Sequence, residues 1–98
     1  MTIRLTPEAE ADLTDAYAWY RDRGESLASE FLASFESVLE ALDRHPESSP
    51  EIHNQVRRAL MRRFPYAVFY VLGPDGPIVL GIFHARRNPM KWKRRAGA

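Results

Sequence analysis

The element order strand, helix, helix, strand, strand, strand predicts an α+β domain, and three observations carry that prediction. Apolar residues recur at helical spacing between Pro7 and His45. After the polar, proline-containing stretch PESSPEIHN the pattern changes to short alternating runs. The helical part precedes those runs and does not alternate with them, which separates α+β from α/β. With 98 residues and 45% hydrophobic composition, the chain supports one core and hence a single domain over 1–98.

The opening TIRLT is short and β-branched and reads as a strand. Thr6-Pro7-Glu8 then supplies a hydroxyl cap, a proline at the first helical position and an early acid, so a helix is predicted over about 7–23. Ala9, Leu13, Ala16, Tyr17 and Tyr20 form its apolar stripe, and Gly24 ends it. Ser26 is the expected cap of a second helix carrying Leu27, Phe31, Phe35, Val38, Leu39 and Leu42. Proline restricts the residue before it, so this helix should stop at His45-Pro46. The short Gly24-Glu25-Ser26 joint makes the pair an antiparallel hairpin, with Asp12, Asp15, Asp22, Glu30, Glu36 and Glu40 expected on its outer face.

Strands are predicted over 56–64, 66–72 and 78–84, interrupted by Pro65 and by the turn Gly73-Pro-Asp-Gly-Pro77. They form a three-stranded antiparallel meander with the hairpin packed on one face. Both faces of Tyr66 to Leu72 are apolar, which marks a central strand, and Ile78, Leu80, Ile82 and His84 are expected to share one face.

The chain has no cysteine, which removes disulfides, thiolate metal sites and cysteine nucleophiles. His45 and His53 have no ligand-like spacing to Glu47 or Glu51, so neither a metal nor another cofactor is expected. No apolar run is long enough for a membrane span and no signal pattern opens the chain, so a cytoplasmic protein without a membrane partner is expected. The formal net charge of +1 conceals an asymmetry. Residues 1–50 carry four arginines against eleven acids, and residues 51–98 carry ten Lys and Arg against two acids. Either the halves pair internally or the second half meets an acidic partner or a phosphate backbone.

The candidate chemistry lies in that second half. Metal-free RNA cleavage needs a base, cations for the developing phosphate charge and an acid. His84, Tyr66, Arg62 and Arg87 have the right side chains, yet the same types occur on any basic sheet surface, and the strand register that would unite them is open. In the closing HARRNPMKWKRR, Asn88-Pro89 makes a turn and Trp92 is expected to fold back on the core, followed by a basic tail over about 91–98.

The order of these features resembles the RelE/ParE superfamily, the toxic half of bacterial type II toxin–antitoxin modules. The matching segments are the opening strand with Thr6-Pro7-Glu8-Ala9, the hairpin ending at Leu42 and His45-Pro46, the arginine-rich strand running into Phe64-Pro65-Tyr66, and His84 to Trp92. The resemblance implies growth inhibition, neutralisation by a cognate antitoxin, and contact with operator DNA only through that antitoxin. It implies an antitoxin surface of Leu13, Tyr17, Tyr20, Phe31, Phe35, Arg57, Arg58 and Arg63. It implies a target surface of Arg86, Arg87, Lys91, Trp92, Lys93, Arg94 and Arg95. RelE-like members cut mRNA on the ribosome with a Lys/Arg cluster; ParE-like members poison DNA gyrase. This chain has no lysine before Lys91, and its Phe64-Pro65-Tyr66 and C-terminal segments are similar to the ParE-like branch. Binding to gyrase is therefore the favoured expectation. The alternatives are a ribosome-dependent endoribonuclease using His84, Arg62, Arg87 and Tyr66, and a decayed toxin that binds only its antitoxin.

Overall fold

A computed structural model describes residues 3–85 and 93–95 of the chain. The elements are β1 (Arg4–Leu5), α1 (Pro7–Arg21), α2 (Glu25–Arg44), β2 (Glu51–His53), β3 (Val56–Leu60), β4 (Tyr66–Gly73) and β5 (Gly76–His84). They form an α+β domain with a five-stranded sheet in the order β1-β5-β4-β3-β2. β1 runs parallel to β5 and every other pair is antiparallel.

Thr6 joins the first strand to the first helix. Its hydroxyl accepts the Ala9 N–H at 3.1 Å, Pro7 fills the first turn, and its own N–H donates to the Val79 carbonyl at 3.0 Å. The second helix begins differently from the expectation at Ser26. Gly24 is its N-cap, at φ 151°, and the Gly24 carbonyl accepts the Ala28 N–H. Only glycine adopts that backbone without strain, so the reversal takes place there and Ser26 lies inside the helix. α2 ends at Arg44, just before His45-Pro46.

Two strand expectations are corrected. Residues 51–53, read as part of a linker, form β2, which pairs with β3 through a two-residue turn. Asn54 and Gln55 both have positive φ, 45° and 69°, as a primed hairpin turn requires. β3 ends at Leu60 and not at Phe64, because Arg63 turns into the left-handed region at φ 70° and breaks the extended run.

β4 is the central strand, as its two apolar faces predicted. On one side Val68, Tyr70, Val79 and Ile82 pack with Tyr20, Phe31, Phe35 and Leu42 of the hairpin. On the other, Val56, Ala67, Phe69 and Phe83 form a smaller cluster. The expectation that Leu80 shares a face with Ile82 fails for a local reason. The register shifts between Phe69 and Tyr70, which pair with Gly81 and Val79, and Leu80 becomes the extra residue of a bulge. Leu80 therefore packs with the smaller cluster while Ile82 packs under the hairpin.

Tyr70 is fully buried in the middle of this arrangement, and its hydroxyl donates to the Pro46 carbonyl at 2.8 Å. That bond satisfies the phenol and fixes the chain where it leaves α2. No helix among the described residues is long and apolar enough to cross a membrane.

Candidate functional site

The sheet register answers the question left open by the sequence. Tyr66 and His84 are direct cross-strand partners, with ring centroids 5.8 Å apart at an interplanar angle of 64°. Tyr66 also meets the rings of Tyr20 and Phe31, which in turn contact Phe64. Burial, then the neighbouring Tyr66, hold the Tyr20 phenol above its ordinary pKa, against the opposing pull of Arg23. This end of the sheet is an aromatic cluster in which His84 is half-buried.

Arg62 follows Met61, whose N–H donates to the Tyr66 carbonyl at 3.0 Å. The carbonyl of Arg62 accepts the Ser34 hydroxyl at 2.8 Å, and the Arg62 side chain helps line a groove between α2 and β3. β4 stands between β3 and β5, so the start of that groove and His84 lie two strand spacings apart, roughly 9–10 Å. Arg87, the other cation of the nuclease set, lies outside the described residues.

The groove is a feature of the described surface that the sequence reading missed. It consists of two adjoining hollows of about 560 and 340 Å³ that share Val38, Ala41 and Leu60. Small residues of α2, including Ala33, Ser34 and Ser37, give it depth, while Arg44, Arg58, Arg62 and Arg63 make its rim basic. Leu60 is 61% exposed in its middle. The adjacent backbone is open as well. β2 pairs with β3 only at Val56 and Arg57, and Arg58 N–H donates to Pro50. Met61 N–H turns inward to Tyr66, so by alternation Leu60 presents its backbone groups to the outer edge. A short basic strand with one exposed leucine gave no periodic signal strong enough to mark this groove in advance.

The expected antitoxin surface divides accordingly. Tyr20, Phe31 and Phe35 lie inside the core and support the surface from beneath, whereas Leu13 and Tyr17 are half-buried. Arg57 donates to the carbonyls of Glu47 and Ser49 and so braces the chain after α2. Arg58 lines the groove, and Arg63 pairs with Glu30 at 2.6 Å on an exposed stretch.

Of the expected target surface, Arg86, Arg87, Lys91 and Trp92 lie outside the described residues. Residues 93–95 make a helical turn in which Arg94 is exposed. Arg95 is not presented to solvent. It pairs with Asp12, and the two side chains are only 20% and 12% exposed. Asp12 was expected on the outer face of the hairpin and is instead drawn in, accepting also the Ile82 N–H at 3.1 Å. Among the described residues, opposite charges of the two halves meet at Glu30 with Arg63 and at Asp12 with Arg95. Trp19, at 48% exposure, is covered on one face by Arg23, whose guanidinium carbon stands 3.3 Å from the ring centroid.

The profile of the family described as "ParE toxin of type II toxin-antitoxin system, parDE" matches residues 3–89. The chain belongs to the ParE toxin family. No curated protein matches it in sequence. Among solved structures, this ParE toxin is similar to a chain of the chromosomal ParDE toxin–antitoxin system from P. aeruginosa, with a TM-score of 0.76. Sequence identity is 19%, and the match covers 88% of this chain and 97% of the other. At that identity the likeness establishes a shared fold. In this ParE toxin the aromatic cluster and the basic groove adjoin, since Met61, between the groove residues Leu60 and Arg62, donates its N–H to the Tyr66 carbonyl.

Proposed function

We propose that this ParE toxin inhibits growth by binding, with DNA gyrase as its target, and that a cognate antitoxin neutralises it by occupying the groove between α2 and β3. Among the described residues, the observation that carries binding over cleavage is that Arg62 lines the groove while Tyr66 and His84 are packed among aromatic rings. A nuclease site needs base, acid and cations converging within hydrogen-bond reach of one phosphate. The groove supports the antitoxin half of the reading: apolar Leu60, an open strand edge and a basic rim fit a segment that alternates apolar and acidic residues. The complex, acting through its antitoxin, is then the species that meets operator DNA, and the site of action is the cytoplasm.

One observation favours a second reading. The contact between Tyr66 and His84 would give a ribosome-dependent endoribonuclease two of its groups, with Arg62 and Arg87 as the cations. The two readings part in one experiment. The toxin is expressed from a tightly controlled promoter, the 5′ ends of cellular mRNA are mapped minutes after induction, and supercoiling by purified gyrase is assayed with the purified toxin. Growth arrest and gyrase inhibition without codon-phased cuts are expected. Phased cuts appearing with the arrest would establish the nuclease, and the lack of any arrest would indicate a decayed toxin that binds only its antitoxin.

A further inference from the structure

β1 covers β5 only at Ile78 and Val79, after which the chain turns away into α1. From Leu80 onward the outer edge of β5 has no strand beside it among the described residues. Such an edge leaves backbone donors and acceptors to be satisfied by other means. Here side chains do it. Asp12 of α1 accepts the Ile82 N–H at 3.1 Å, and Arg95 donates to the Leu80 carbonyl at 3.2 Å. The same two side chains bind each other through both carboxylate oxygens, Nη1 on Oδ2 and Nη2 on Oδ1, the latter at 3.2 Å. The Arg95 guanidinium also lies 4.7 Å from the Phe83 ring centroid. Gly81 leaves the space for this: a Cβ there would stand 3.0 Å from Arg95 Nη1 and 2.5 Å from the Phe83 ring.

We infer that Asp12 is a positioning residue that clasps the basic C-terminal segment across the edge of β5, withdrawing Arg95 from the surface and holding Arg94 out for the target. The inference rests on the proposed reading that C-terminal cations meet the target. A two-point guanidinium–carboxylate pair fixes direction as well as distance, which a single lysine contact would not. Its low exposure reduces the solvent screening that makes most surface pairs weak. Arg94 is exposed in the same helical turn, so it inherits a fixed place relative to the sheet. The clasp is made by one residue near each end of the chain and by two backbone groups of β5. It therefore ties the placement of the chain end to a completed sheet.

The test uses the full-length toxin, purified by release from its antitoxin. Asp12→Asn, the conservative Asp12→Glu, and Arg94→Ala are compared for four properties. These are amide exchange at Ile82, trimming of the chain end by carboxypeptidase, gyrase inhibition, and antitoxin affinity. With Asp12→Asn, Ile82 exchange and C-terminal trimming should both speed up by about tenfold or more, since the remaining charge is left without its partner. The inhibitory concentration should rise by about tenfold, while antitoxin affinity stays within about threefold. Asp12→Glu, which keeps a carboxylate able to accept from both Arg95 and the Ile82 N–H, should retain much of the C-terminal protection and of the potency, which a merely misfolded variant would not. Arg94→Ala should lose potency with the chain end still protected. If Asp12→Asn leaves protection and potency unchanged while Arg94→Ala is weakened, the clasp is refuted and the target reading stands. If Arg94→Ala is as potent as the parent, the target reading fails and the positioning role falls with it.

Discussion

Tyr66 and His84 face each other across β4 and β5 with their rings in edge-to-face contact, 5.8 Å between centroids. An edge-to-face aromatic pair contributes about 0.5–1.5 kcal/mol beyond its buried area. If binding is the mode of action, His84→Ala should lower the unfolding free energy, read from denaturant titration, by an amount of that order and leave growth arrest and antitoxin affinity intact. A folded, antitoxin-binding variant that no longer arrests growth would instead place His84 in a catalytic site.

Leu60 is the most exposed large apolar residue described, and it lies where the two hollows of the groove meet. Fully burying a leucine contributes about 1.5–3 kcal/mol, so Leu60→Asp should raise the antitoxin Kd by about ten- to a hundredfold. Charge repulsion between the new aspartate and an acidic segment would add to that. Because the residue is solvated in the free toxin, stability should change by no more than about 0.5 kcal/mol. Isothermal titration and thermal melting of the same variant check both halves.

Tyr70→Phe removes the buried bond to the Pro46 carbonyl without changing the packing of the ring. A loss of about 1 kcal/mol is expected, which for a domain of this size lowers Tm by about 4–8 °C. Calorimetry would register it, and an unchanged Tm would mean that water replaces the phenol.

Tyr20 predicts a dependence on alkaline pH. Its folded pKa is raised above the ordinary tyrosine value of 10.0, by burial first and by Tyr66 second. The native state therefore keeps this proton in a range where the unfolded chain gives it up, so stability is present below pH 10.0 and falls as pH rises through the folded pKa. Denaturant midpoints measured at about pH 9 and about pH 11 should converge in Tyr20→Phe relative to the parent protein.

Much of this architecture was legible because its signals are local. Thr6-Pro7 announces a helix start by its hydroxyl and its missing N–H, and His45-Pro46 announces a stop by sterics. What escaped depends on residues acting against type. Gln55 and Arg63 take positive φ, which glycine or asparagine would have flagged, so β2 was read as linker and β3 as too long. The bulge at Leu80 and Gly81 is set by pairing with β4, which the alternation of a single strand does not contain. Among the site residues, adjacency of Tyr66 and His84 needed the register. The inward turn of Asp12 needed Arg95, eighty-three positions away.

Because β1 finds its partner in β5, the sheet closes only when the last strand has been made. Chains are synthesised at about 5–20 residues per second, so the hairpin spends a few seconds with its apolar stripe uncovered before β4 and β5 arrive. Throughout that interval the nascent chain carries neither a finished groove nor a fastened end. The fastening of Arg95 onto the Leu80 carbonyl can only follow the strand that supplies that carbonyl, so the last step of folding is also the one that sets Arg94 in place.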